Sequence, residues 1–150
     1  MIASRANSKI YKVGDKVRKE VTSDLHLLTL DTIIESYRNY DELLDKNDLV
    51  KVHKWWVKDN TVFIDMEDLT SWWQLGKNDK SMLAQVLGIM NNLIRQGYVD
   101  WDMDISNFLT NGKDVKLIDL DRLTRCDSLT TQQSGWLTTR IIRLFLWYFQ

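Results

Sequence analysis

Between Tyr98 and Arg122 the chain threads Asp100, Asp102, Asp104 and Asp119, with Asn107 among them, through a run of Val, Ile, Leu, Met and Phe. Carboxylates spread through apolar sequence repel one another unless cations neutralise them. Two readings follow. The acids are solvated loop residues, or they gather around a cation. Asn111-Gly112 marks a tight turn between the short apolar pieces Phe108-Leu109 and Val115-Lys116-Leu117-Ile118, so the acids flank a small hairpin. Oxygen ligands of this kind suit Mg²⁺, which takes one or two protein carboxylates and fills its shell with water and phosphate oxygens. His26 and His53 lack ligand spacing, and the single cysteine, Cys126, builds neither an internal disulfide nor a thiolate site, so zinc is not expected.

The rest of the chain narrows the class. Its 150 residues suit one domain, or two small lobes sharing a cleft. A formal net charge of −1 gives no general nucleic-acid surface. The N-terminal residues carry no apolar stretch of signal-peptide length. The apolar C-terminal run from Ile141 to Phe149 is broken by Arg143 and is shorter than the ~20 residues needed to span a bilayer. These features point to a cytoplasmic protein. Seven tryptophans are expected to serve as core or lobe-interface anchors, or as stacking surfaces for a ligand.

Periodicity supplies the elements. Residues 10–21 read as a hairpin turning at Gly14-Asp15, with glycine at the first central position of a II′ turn. A period of two then puts Lys19 on the same face as Val17 and Val21. A lysine there must snorkel to water or meet an anion, because an unpaired buried charge is costly. Residues 28–44 show helical spacing, with Asp31 as a candidate cap. Strands are expected over Leu49–Val57 and Thr61–Met66, joined by a turn at Asp59-Asn60, and Glu67-Asp68-Leu69 leaves as a connector. A second helix carries Met82 through Ile94 and stops at Gly97. A third, apolar and arginine-bearing, follows Trp136.

The spacing Asp102-x-x-x-x-Asn107, followed by Val-Lys-Leu-Ile-Asp119, resembles the catalytic and metal-binding loops of the protein-kinase superfamily. The likeness continues in register. The helix ending at Gly97 resembles the one before the catalytic loop, Val62–Leu69 resembles the strand entering the interlobe hinge, and Val17-Arg-Lys19 resembles the Val-Ala-Ile-Lys strand. The resemblance implies an α+β, minimal bilobal fold with an antiparallel sheet and one helix in the N-terminal lobe (about 1–67), a hinge at about 67–70, and a reduced helical C-terminal lobe (about 71–150). It also implies ATP and Mg²⁺ as cofactors. Asp102 would orient an acceptor hydroxyl and Asn107 and Asp119 would hold metal. Lys19 would meet the α- and β-phosphates, paired with a helix glutamate for which Glu35 is the choice and Tyr40 aligns about as well. Asn7 and Ser8 would cover the phosphates, and Glu67 and Leu69 would border the nucleotide at the hinge.

The sequence departs from that pattern at several places. Ser4-Arg-Ala-Asn-Ser8 stands where a glycine-rich loop is usual, Asp100-Trp101-Asp102 replaces His-Arg-Asp, Asp119-Leu120-Asp121 replaces Asp-Phe-Gly, and no Ala-Pro-Glu motif is present. The losses point away from a regulated eukaryotic-type protein kinase. Leu117-Ile-Asp-Leu-Asp-Arg122, with Trp136 and the Arg-Ile-Ile-Arg-Leu run, is similar to bacterial lipopolysaccharide core (Kdo/heptose) kinases, which implies a sugar or lipid-linked hydroxyl as acceptor. A compact Ser/Thr protein kinase and a nucleotide-binding pseudokinase module are the alternatives. The C-terminal helix, with Arg140 and Arg143, either lies at an anionic membrane face or packs under the catalytic loop.

Overall fold

The computed structural model describes residues 1–5, 7–24 and 28–150; Ala6 and His26 lie outside the described residues. Among the described residues the fold is α+β, with antiparallel sheets and three α-helices. Strands β1 (Ala3–Arg5), β2 (Ser8–Val13), β3 (Lys16–Val21), β4 (Val52–Lys58) and β5 (Thr61–Glu67) form a five-stranded sheet in the order β1-β2-β3-β5-β4. Its turns follow from local chemistry. Gly14 takes φ 63°, and Asp59 and Asn60 take φ 51° and 60°, the pair of positive values that a two-residue I′ hairpin requires. Alternation along β3 buries Val17, Lys19 and Val21, as period two predicts. The pairing of β4 with β5 slips by one residue between Val52 and Lys54.

Helix α1 (Leu30–Glu42) crosses one face of this sheet. Thr29, not Asp31, caps it: the Thr29 hydroxyl accepts the Thr32 N–H at 3.1 Å, while Asp31 occupies the first turn. Ile33, Tyr37 and Tyr40 are buried beneath it.

The second half begins with β6 (Trp73–Gln74) and a 3₁₀ turn at Lys77–Met82 leading into α2 (Leu83–Arg95). Gly97 ends that segment with φ 91°, in the left-handed region. Strands β7 (Tyr98–Asp100), β8 (Phe108–Thr110), β9 (Val115–Leu117) and β10 (Leu123–Arg125) follow, and α3 (Thr131–Phe149) closes the chain. β7 pairs with β10, and β6-β8-β9 make a separate small sheet. The β8–β9 turn places Gly112 at φ 93°, with a built Cβ 3.4 Å from Cη2 of Trp73. Segment 48–50 ties the halves together, since Leu117 N–H donates to Asp48 O (3.0 Å) and Val50 N–H to Leu117 O (2.9 Å).

The core is mainly aliphatic. Val21, Ile33, Val62 and Ile64 fill the first half, and Val86, Leu93, Phe108, Leu117 and Leu123 the second. The tryptophans anchor it only in part, with Trp55 and Trp147 packed against its edge. Trp101 is buried, whereas Trp73 and Trp136 are exposed and the other four are half-buried. Among the described residues no helix is long and apolar enough to cross a membrane.

Candidate functional site

A cavity of about 320 Å³ opens between the five-stranded sheet and the β6-β8-β9 sheet. Ile10, Val17 and Met66 line it from the larger sheet, and Leu109 and Ile118 from the other half, making an apolar slot of the size that small ligands occupy. Lys19, Asn107 and Asp119 stand along the same cavity. Antiparallel pairing of β7 with β10 explains why. It sets residue 100 opposite 123, so the acidic segment after β7 runs beside the segment from Asp119 to β10.

Lys19 does not snorkel. Its Nζ lies 2.5 Å from Oδ2 of Asp121 and 3.4 Å from Oδ1 of Asp119. Burial works against the ammonium, but the two aspartates outweigh it and hold the Lys19 pKa above the ordinary lysine value. Asp119 is half-buried, which raises its carboxyl, yet Lys19, Arg122 and the Asp121 N–H hold it down at about 2. Asp121 goes the other way. It makes the shorter contact to Lys19, but deeper burial raises its pKa, followed by the attraction of Lys19 opposing and the repulsion of Asp119 adding.

Asp102 receives Nε of Arg140 at 2.6 Å, and Nη1 of Arg122 sits 3.7 Å from Asp102 and 3.8 Å from Asp119, between the two carboxylates. Nε of Arg143 is 3.0 Å from Asp104. The protein's own cations therefore meet the acids, so repulsion alone does not demand a metal. Both arginines of α3 turn toward the acidic segment, which is the packed arrangement of the two expected for that helix. Trp147 adds an indole hydrogen bond to Gly76 O at 3.3 Å. Asp100 is the odd carboxylate. One oxygen accepts the Asp102 N–H at 2.9 Å and the other is buried without a partner among the described residues. Burial first, and then Asp119, push its pKa well above the usual range.

Asn107 donates its side-chain N–H to the Asp102 carbonyl at 2.9 Å, which spends the end of the amide that cannot bind a metal. Among the described residues no group of three or more His, Cys, Asp or Glu is arranged to hold a metal. A donor set of Asn107 and Asp119 fits Mg²⁺ completed by phosphate and water, and does not fit a protein-only cage.

The remaining expected residues separate. Ser8, Glu67 and Leu69 line the cavity. Glu67 accepts Nζ of Lys116 at 2.6 Å and the Lys51 N–H at 2.9 Å. Asn7 does not line the cavity, and its side-chain amide donates to Thr22 O at 3.3 Å. Glu35 is not brought to Lys19. Its side chain is 59% exposed and lies 3.9 Å from Arg38 one turn on, because the α1 face toward the site carries Ser36, Tyr37 and Asn39 instead. Tyr40 does not replace it, since its hydroxyl is bonded to Val50 O and Val52 N. Sequence reasoning gave no role to Asp121, Arg122 or Tyr37. The Asp-x-Asp spacing at 119–121 was the available signal, since alternate residues of an extended segment share a side.

No family model matches this chain, and no curated protein matches it.

Proposed function

We propose that this chain is a Mg²⁺-dependent phosphotransferase of protein-kinase-like, two-lobed build that moves the γ-phosphate of ATP to a hydroxyl. The observation that carries the reading is the meeting of Lys19, Asn107 and Asp119 along one apolar slot, with Asp102 joined to Asp119 through Arg122. The slot suits a purine, with the connector at Glu67 to Leu69 beside it. Lys19 is the cation for the phosphates, and Asn107 and Asp119 would hold the metal, which when bound neutralises phosphate charge and orients the transferred group. Asp102 orients the acceptor hydroxyl, and its proton passes to that carboxylate as the new P–O bond forms and ADP leaves. A sugar or lipid-linked hydroxyl is the acceptor that the Leu117–Arg122 sequence suggests.

The test is transfer of label from γ-³²P-ATP to a panel of sugar, lipopolysaccharide-core and protein acceptors. Label should appear with the natural sequence and disappear in Asp119→Ala and Asp102→Ala that keep their fold; equal transfer by either variant would sink the assignment. One contact favours a second reading. Arg140 at 2.6 Å occupies the Asp102 carboxylate, which suits a module that binds nucleotide without transferring phosphate. Binding of Mg·ATP with no labelled product from any acceptor would select it.

A further inference from the structure

Helix α1 is tied to the segment after Asp119 at three successive points of contact. Ser36 Oγ donates to the Asp121 carbonyl at 2.7 Å, Tyr37 OH to Asp121 Oδ1 at 2.6 Å, and Asn39 Nδ2 to the Leu123 carbonyl at 2.9 Å. The other Asp121 oxygen takes Lys19. One side chain, 2% exposed as a residue, thus joins β3, α1 and the acidic segment.

We propose that Asp121 is the positioning residue for Lys19, doing from the acidic segment what a helix glutamate was expected to do from α1, with Tyr37 fixing the carboxylate that does it. The proposal rests on the nucleotide reading above. Divided between Asp119 and Asp121, the ammonium is held off full contact with Asp119, at 3.4 Å, and stays at the wall of the cavity. Without the Asp121 charge it closes on Asp119, which removes the cation from the phosphates and covers a metal-binding oxygen in the same movement. The geometry also differs in kind from a lysine–glutamate pair confined to a sheet and its own helix. Here α1 cannot withdraw from the site without breaking bonds to residues 121 and 123.

The acceptor need not be known to test this. The affinities of the purified chain for adenosine and for ATP, both with Mg²⁺, are measured by calorimetry, and their ratio reports the phosphate contact alone. Lys19→Met sets the floor. Asp121→Asn keeps the shape and an acceptor for Tyr37, and should lower the preference for ATP about tenfold, the loss of roughly one charge-assisted hydrogen bond, with adenosine affinity unchanged. Tyr37→Phe, which leaves every charge in place, should lower it about threefold and decides the matter if the first variant does not fold. A preference kept in folded variants, or a parallel loss for adenosine and ATP, overturns the positioning role while leaving the nucleotide reading intact. A natural sequence with no preference for ATP over adenosine overturns both.

Discussion

Replacing Arg140 by glutamine tests how α3 is held to the acidic segment. The Nε of Arg140 is 2.6 Å from Asp102, and the two side chains are 16% and 18% exposed, so the contact is shielded from solvent on most sides. A hydrogen bond between two charged groups in such a place contributes about 1.5–3 kcal/mol. Arg122, 3.7 Å from the other Asp102 oxygen, remains to compensate part of the loss, which argues for about 2 kcal/mol. For a domain of this length that is a fall of roughly 4–8 °C in Tm. Asp102→Asn and the double variant complete the cycle, each followed by urea unfolding with tryptophan fluorescence as the probe. The expected coupling is about 1–2 kcal/mol, well outside the ~0.3–0.5 kcal/mol within which independent sites add. Additivity within that margin would refute the claim that this pair docks α3, and would leave the helix held by Leu144 and its apolar neighbours, the Arg143–Asp104 pair and the Trp147 hydrogen bond.

The other predictions concern single sites. Asp100→Asn should be more stable than the natural sequence at pH 7: a carboxyl whose folded pKa is raised favours folding below about pH 4, where the unfolded group is also protonated, and loses that advantage as pH rises toward the folded value. The difference should therefore shrink as urea melts are taken from pH 7 down to about 4, and a difference that grows on acidification would contradict it. Glu35→Gln should leave stability within about 0.5 kcal/mol and nucleotide affinity unchanged, because the side chain faces solvent; a large loss in either would restore it to the site. Gly112→Ala should cost about 1–3 kcal/mol by chemical denaturation, since it forces a side chain onto φ 93°.

Much of the frame was legible because it rests on short-range rules. Glycine and asparagine at the turns, the stripe on α2 and the face shared by Val17, Lys19 and Val21 all come from backbone sterics and side-chain period. The unusual partner of Lys19 was not legible. A tyrosine on a helix stripe reads as packing, and only its tertiary position makes Tyr37 a donor to a buried carboxylate. β7 and β10 are three residues each, too short for alternation to register, yet their pairing is what brings Asp102 and Asp119 together. The start of α3 is legible in the sequence: α3 begins at Thr131, ahead of the apolar run after Trp136, because Thr130 and Gln133 form a capping box. The tryptophans misled for a different reason. Those of β4, Trp55 and Trp56, stand on an edge strand, where their rings cover neighbours such as Phe63 without being enclosed themselves.

That edge has a bearing on how the chain behaves when crowded. A straight border strand offers its unused amides and carbonyls to any similar strand that drifts past, and stacks of such strands grow into fibres. The slip between Val52 and Lys54 bends the border out of true, and the ammonium groups of Lys54 and Lys58 would have to be brought beside their own kind in a stack. Concentrated solutions should for that reason resist ordered sheet-to-sheet growth along this side, and neutralising both lysines should weaken that resistance while the slip in register remains.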